Sequence, residues 1–246
     1  MIKAVQVEKL VKAFGDFLAL RGITFTVEEG EVFGLVGPNG AGKTTTFRII
    51  ATLLLPTSGH VTICGKDVVK EANEIRKIIS YLPEDAGTYR FLTGYEYLKL
   101  MAEVYFGKGK DAEEALELGI KIAGLGERLY DKMKNYSKGM KRRIQLARAL
   151  MIMPRVAILD EPTAGLDVLH AKEIRNTIKE FSRTHSITVL VSSHNMNEIQ
   201  DICEKIAVIN EGVILEEGYV DELLDKHSVD NLENLFIKLV KGDVYA

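Results

Sequence analysis

The chain has 246 residues, 46% of them hydrophobic and 27% charged, with a formal net charge of −3. That length and mix fit one large globular domain or two small ones, with enough apolar residues to build a core. The slight acidity excludes a general basic field for nucleic acid. Apolar runs such as 156–159 and 187–191 fall far short of the ~20 residues that cross a bilayer. No basic stretch followed by an apolar one opens the chain, so nothing directs it to secretion.

Val5 and Val7, then Ile23, Phe25 and Val27, alternate with polar residues and predict half-exposed strands. Between them, Phe14 taken alone reads as a core aromatic at a hairpin end. Residues 32–36, Val-Phe-Gly-Leu-Val, predict a strand buried on both faces. The next eight residues, Gly37, Pro38, Asn39, Gly40, Ala41, Gly42, Lys43 and Thr44, fill every fixed position of the phosphate-cradling pattern G-x-x-x-x-G-K-[ST]. Glycines let such a loop curl its N–H groups inward, and the positive end of the helix predicted over 45–54 adds to the anion site. Lys43 is then placed to reach the β- and γ-phosphates, and Thr44 to hold Mg²⁺.

A turn at 56–59, a strand at 61–63, a short helix over 72–77 and an apolar strand over 78–82 follow. From Thr93 to Met151 the periodicity turns almost wholly helical, with Thr93 as the N-cap of a helix to Phe106 and Asp111 of one to Ala123. Ser137 precedes a strongly helix-forming run as an ordinary N-cap, although a hydroxyl at a helix tip also suits a phosphate. The Lys141–Arg143 run reads as a solvated helix face.

Strands at 156–160, 188–192 and 206–210 then alternate with helices at 167–184 and 196–202. A last short strand and helices near 220–226 and 231–241 close the chain. This alternation predicts a mostly parallel sheet covered on both faces. Ligands of such sheets bind beyond the carboxyl ends of the strands, where Asp160 would meet Lys43 and Thr44. A carboxylate there can bind Mg²⁺, and Glu161 can polarise a water for in-line attack on a γ-phosphate. Cys64 and Cys203 stand singly with no metal-ligand spacing and read as buried free thiols of a reducing compartment.

Taken in order, GPNGAGKTT (37–45), YSKGM (136–140), VAILDE (156–161), Ala164-Gly165-Leu166-Asp167 and Ser192-Ser193-His194 carry a resemblance. Over essentially its whole length the chain resembles the nucleotide-binding subunit of an ATP-binding cassette (ABC) transporter, of the kind serving multidrug-type exporters. The resemblance implies an α/β phosphate-loop NTPase fold, with a mostly parallel sheet core, an antiparallel β subdomain and a helical insertion. The core would take 1–84 and 152–246, and the helical part 85–151.

It further implies that Phe14 stacks on adenine, that Thr45 joins the phosphate loop, and that Glu161 is the general base. His194 would sense the γ-phosphate, and Asp167 would couple two sites across a dimer. Ser137 and Gly139 would contact the ATP held by a second copy, so that two chains close head to tail over two Mg-ATP. The expected partners are that copy, or a related ATPase subunit, and an integral-membrane permease docked on the helical insertion. The expected place is the cytoplasmic face of the cell membrane.

Two positions depart from the family pattern. Glu84 stands where a glutamine is usual, and as a carboxylate it can still ligate Mg²⁺ while adding negative charge near the γ-phosphate. Lys138 replaces the first of two signature glycines, where its side chain would either narrow the approach or add a cation. The competing readings are a cassette protein acting on ribosomes or DNA, and a small-molecule kinase. The first usually carries two cassettes or a long coiled-coil insertion, and the second needs an acceptor pocket and lid. Neither set of features is seen, and the acidic balance disfavours nucleic acid.

Overall fold

The computed structural model describes residues 3–242. Two sheets organise the fold. Strands β1 (Lys3–Phe14) and β2 (Phe17–Glu28) form a hairpin, and with β4 (Ser58–Ile63) and β5 (Lys66–Asp67) they make an antiparallel sheet of order β2-β1-β4-β5. The second sheet takes β3 (Val32–Val36), β6 (Ile79–Leu82), β7 (Val156–Asp160), β8 (Thr188–Ser193), β9 (Lys205–Asn210) and β10 (Val213–Tyr219). Its order is β10-β9-β3-β8-β7-β6, parallel throughout except for the β10 edge.

Successive side chains of a strand point to opposite faces, and the central strands use both. On β7, Val156 and Ile158 join a core shared with the antiparallel sheet, while Ala157 and Leu159 join the core on the other face. On β9, Ala207 and Ile209 take the first side, Ile206 and Val208 the second. Stacked rings of Phe25 and Phe33, 5.2 Å apart, join the two sheets. Helix α1 (Lys43–Ile50) packs into the first core through Phe47, Ile49 and Ile50. Helices α6 (Val168–His185), α7 (Met196–Ile202), α8 (Val220–His227) and α9 (Leu232–Gly242) cover the other face. A short α2 (Ala72–Arg76) leads into β6.

Helices α3 (Gly94–Phe106), α4 (Lys110–Ala123) and α5 (Lys138–Leu150) enclose a third core around Leu98, Met133 and Ile144. Two 3₁₀ turns, Gly126–Tyr130 and Met133–Asn135, link α4 to α5. No helix among the described residues is long and apolar enough to cross a membrane.

Several predicted boundaries move for identifiable reasons. The helix predicted over 45–54 begins at Lys43 and stops at Ile50, because Thr52 turns left-handed with φ +60°. Its N–H donates to Ile49 O and that of Leu53 to Arg48 O, which closes a Schellman turn. Asp111 is not an N-cap: α4 starts one residue earlier, behind Gly109 with φ +145°, and Asp111 lies in its first turn. Cys64 is half-buried rather than buried, at a turn with φ +49°, while Cys203 is buried as expected. Thr93 caps α3 as predicted, in a full capping box: its Oγ1 accepts from Glu96 N (3.1 Å) and its N–H donates to Glu96 Oε2 (2.8 Å).

Thr93→Ala removes one half of that box. The expected result is a loss of about 1 kcal/mol, read as a lower urea midpoint with an unchanged denaturant slope.

Candidate active site

The carboxyl ends of β3, β7 and β8 lie side by side, and each delivers part of one site. β3 runs into the glycine loop, which is drawn back on itself by Ala41 N donating to Pro38 O (3.2 Å). Gly212 N donates to Ala41 O (2.9 Å) and Arg21 N to Gly212 O (2.8 Å), tying the loop to the β9–β10 turn and to β2. Gly37 has no room for a Cβ against Ile209 O, and Gly42 holds φ +111° as the residue before α1. Only glycine meets both demands. Lys43 is buried and folds its ammonium over the loop, donating to Gly37 O (2.8 Å) and Pro38 O (3.1 Å).

β7 ends in two adjacent buried carboxylates with different surroundings. Asp160 is 0% exposed and meets hydroxyls: Oδ1 accepts from Ser192 Oγ (2.6 Å) and Thr44 Oγ1 (3.2 Å), and Oδ2 from Tyr81 OH (3.2 Å). Burial and the neighbouring Asp160 charge push the Tyr81 phenol up to about 12, so it stays a proton donor at neutral pH. Glu161 adopts φ +47°, which breaks the pleat and swings its side chain towards the phosphate loop. Its Oε1 lies 3.3 Å from Lys43 Nζ, and its Oε2 lies 2.9 Å from His194 Nδ1. Ser192 Oγ also accepts from Glu161 N (3.0 Å), so one hydroxyl on β8 serves both acids.

The open pocket over the loop is lined by Phe14, Asn39, Gly40, Lys43, Thr44, Thr45, Glu84 and Glu161. Phe14 is 49% exposed at the tip of the β1–β2 hairpin, so the reading of it as a core aromatic is overturned. Lys12 Nζ covers one side of its ring at 4.9 Å from the centroid. Phe17, its partner across the hairpin, lines the same pocket and has no distinguishing sequence pattern.

Ser137, Gly139 and Asp167 stand apart from that pocket and form a second cluster. Ser137 Oγ caps α5 by accepting from Met140 N (3.1 Å). Gly139 is buried beneath the His170 ring, which would collide with any side chain there. Asp167 caps α6, accepting from His170 N (3.0 Å) and from His170 Nδ1 (2.6 Å). Those bonds hold its carboxyl below the usual carboxylate range. Lys138 lays its ammonium over Gly165 of its own chain, in the loop that leads to Asp167.

The reading of 141–143 as a solvated face fails at Arg142, which is buried against the ends of β6 and β7. The sequence reading also passed over Ser192 and Tyr81 as site residues. Ser192 lies opposite Asp160 on β8, and Tyr81 lies opposite Ile158 on β6, two residues before Asp160 and on the same face, so the signal is strand register.

The ABC transporter family model matches residues 20–164. The chain is 37% identical over 228 residues to the ABC transporter ATP-binding protein YhcH of Bacillus subtilis, covering 92% of this chain and 74% of that one. It is 35% identical over 223 residues to the bacitracin transport ATP-binding protein BcrA of Bacillus licheniformis, covering 91% and 72%. A solved ATP-binding subunit of an ABC transporter superposes with a TM-score of 0.84 at 27% identity, over 96% of this chain and 99% of that one. The dimeric, post-hydrolysis cassette MJ0796 bound to ADP and Pi superposes with 0.78 at 26% identity, over 87% and 98%. With these likenesses running through the glycine loop, both clusters and nearly all of the chain, the chain belongs to the ABC transporter family.

Proposed function

We propose that two copies of this chain close over two Mg-ATP and use their hydrolysis to drive a membrane permease, in the direction of export. The chain is the ATP-binding, ATP-hydrolysing subunit of an ABC transporter. The observation that carries the hydrolytic reading is Glu161: a buried carboxylate strung between Lys43 and His194 at the rim of the phosphate loop. Its Oε1 has an ion-pair neighbour but no aligned hydrogen-bond donor among the described residues, leaving a lone pair for a water proton. As general base it would orient that water for in-line attack on the γ-phosphate. His194 would hold the carboxylate and reach the same phosphate, and Phe14 would stack on the base from the hairpin tip.

The donor set around Asp160 suits Mg²⁺. The carboxylate meets only neutral hydroxyls, one of them Thr44, and hard oxygen ligands are what this ion takes. No group of three acidic, histidine or cysteine side chains converges among the described residues, at Asp160 included, which fits a cation shared with phosphates rather than caged by protein. When bound, Mg²⁺ would neutralise charge developing on the phosphate oxygens. Thr44 and Asp160 would hold it, with Glu84 facing it from the pocket wall.

Pairing is supported by the second cluster. Ser137, Gly139 and Asp167 do not line the pocket over their own chain's phosphate loop, which suits service to the ATP of a second copy, and the dimeric MJ0796 cassettes are a structural precedent. Export is supported by the names of relatives, among them the bacitracin transport protein and the linearmycin resistance protein LnrL of Bacillus subtilis. The permease would dock on the helical part, residues 85–151, which exposes Phe91, Val104 and Tyr105, at the cytoplasmic face of the membrane.

Two outcomes test this reading. Glu161→Gln is expected to bind Mg-ATP with little change in affinity and to turn over about 100-fold more slowly or worse. A turnover near that of the parent removes Glu161 as base. Ser192→Ala strips Asp160 of its shortest hydrogen bond, and the Mg²⁺ concentration for half-maximal hydrolysis is expected to rise about 10-fold. A magnesium titration with an unchanged midpoint would reject Asp160 as the ligand.

A further inference from the structure

Arg142 lies in a basic run on α5, yet its side chain is 6% exposed. A guanidinium carries five N–H groups, and here all five donate to backbone carbonyls. Nε meets Pro162 O (2.8 Å). Nη1 meets Pro83 O (2.9 Å) and Glu84 O (3.2 Å). Nη2 meets Asp160 O (2.9 Å) and Glu161 O (2.8 Å).

These carbonyls belong to two segments, one just past the end of β6 and one running from the last residue of β7. The ladder between β6 and β7 ends at the pair Leu82–Leu159, so Arg142 joins the two chains where their own pairing stops. Burial draws its pKa down to about 10, which leaves the charge in place at neutral pH. Asp160, Glu84, Asp85 and Glu161 offset part of that burial through their charge, but none makes an ion-pair contact, and a buried charge of this kind is expensive compared with an apolar side chain of similar size. Packing therefore does not account for it. Two neighbours on α5 make simpler contacts: Arg148 donates to Tyr81 O (3.0 Å) and Gln145 to Ala86 O. They attach the helix to β6 and to the segment just after Glu84, and neither donates a hydrogen bond to 160–162.

We propose that Arg142 is a positioning residue for hydrolysis: by gripping both segments at once, it fixes the Glu161 backbone relative to Glu84 and locks both to the helix that starts at Ser137. The inference rests on Glu161 being the base. It makes the tilt of α5 a direct input to the base, because the five bonds let the helix tip, the Glu84 peptide and the Glu161 peptide move only as one body. Lysine, with three N–H groups on a single point, cannot replace this planar fork.

The test compares Arg142→Lys with Gln145→Ala in the full chain, each alone and in a Glu161→Gln background. Arg142→Lys is expected to keep its Mg-ATP dissociation constant within about twofold and to lose about 30-fold or more in kcat. Gln145→Ala, which loosens only the contact of the helix with Ala86, is expected to change kcat less than about threefold. In the Glu161→Gln background, Arg142→Lys should slow the residual turnover no further, since its route of action is already gone. A kcat for Arg142→Lys near the parent's overturns the inference, as does an undiminished effect in the Glu161→Gln background. If Glu161→Gln itself turns over normally, the base assignment fails instead. Should Arg142→Lys not fold, guanidinium NMR on the parent decides: separately resolved, slowly rotating Nη protons at Arg142 are expected, and an averaged signal there refutes the grip.

Discussion

Two neighbouring carboxylates buried at the end of one central strand set the terms for the rest of this site. An ionised acid taken out of water needs partners, and Asp160 and Glu161 find different ones. Asp160 keeps the direction the strand gives it and is ringed by three hydroxyls from α1, β6 and β8. Glu161 leaves the pleat by its left-handed backbone and meets a lysine and a histidine. Had both residues stayed extended, their side chains would point to opposite faces of the sheet, and only one could reach the loop. The twist at one residue puts the metal-binding type of acid and the base type of acid on the same side.

Parallel order makes this possible. β3, β7 and β8 run side by side in one direction, so the loop after β3, the acids after β7 and the serines and histidine after β8 arrive at one edge. Helix α5 then approaches the same edge from outside the sheet. It brings Arg142 to the carbonyls and, about one turn earlier, carries Ser137 at its tip and Gly139 beneath the His170 ring. A single helix thus touches the pocket of its own chain with one residue and presents two others elsewhere.

What was legible in the sequence was whatever sits within a few residues along the chain. The phosphate loop, the Asp160–Glu161 pair and the caps at Thr93 and Ser137 are local patterns whose geometry is dictated by the backbone between them. What escaped depends on which surface an element turns towards a distant neighbour. Arg142 looked solvated because its run is basic, and only the docking of α5 onto the ends of β6 and β7 buries it. Ser192 and Tyr81 acquire their roles from strand order. Lys138 had two readings, and its ammonium lies over Gly165 rather than standing out from the helix tip. Phe14 shows the reverse case: its residue pattern favours the core, whereas it stands 49% exposed at the mouth of the pocket, open to the adenine stacking that the family resemblance implies.

The hydrogen bonds that join Ala41, Gly212 and Arg21 have a consequence for how the chain comes into being. β3 acquires its two neighbours, β8 and β9, from segments made some 150 residues later, and the loop is clamped by a turn later still. On the ribosome the glycine loop therefore emerges well before residues 188–212, which shape it, have been translated. A nascent chain that stops before those residues lacks the two strands and the turn that hold the triphosphate cradle in shape.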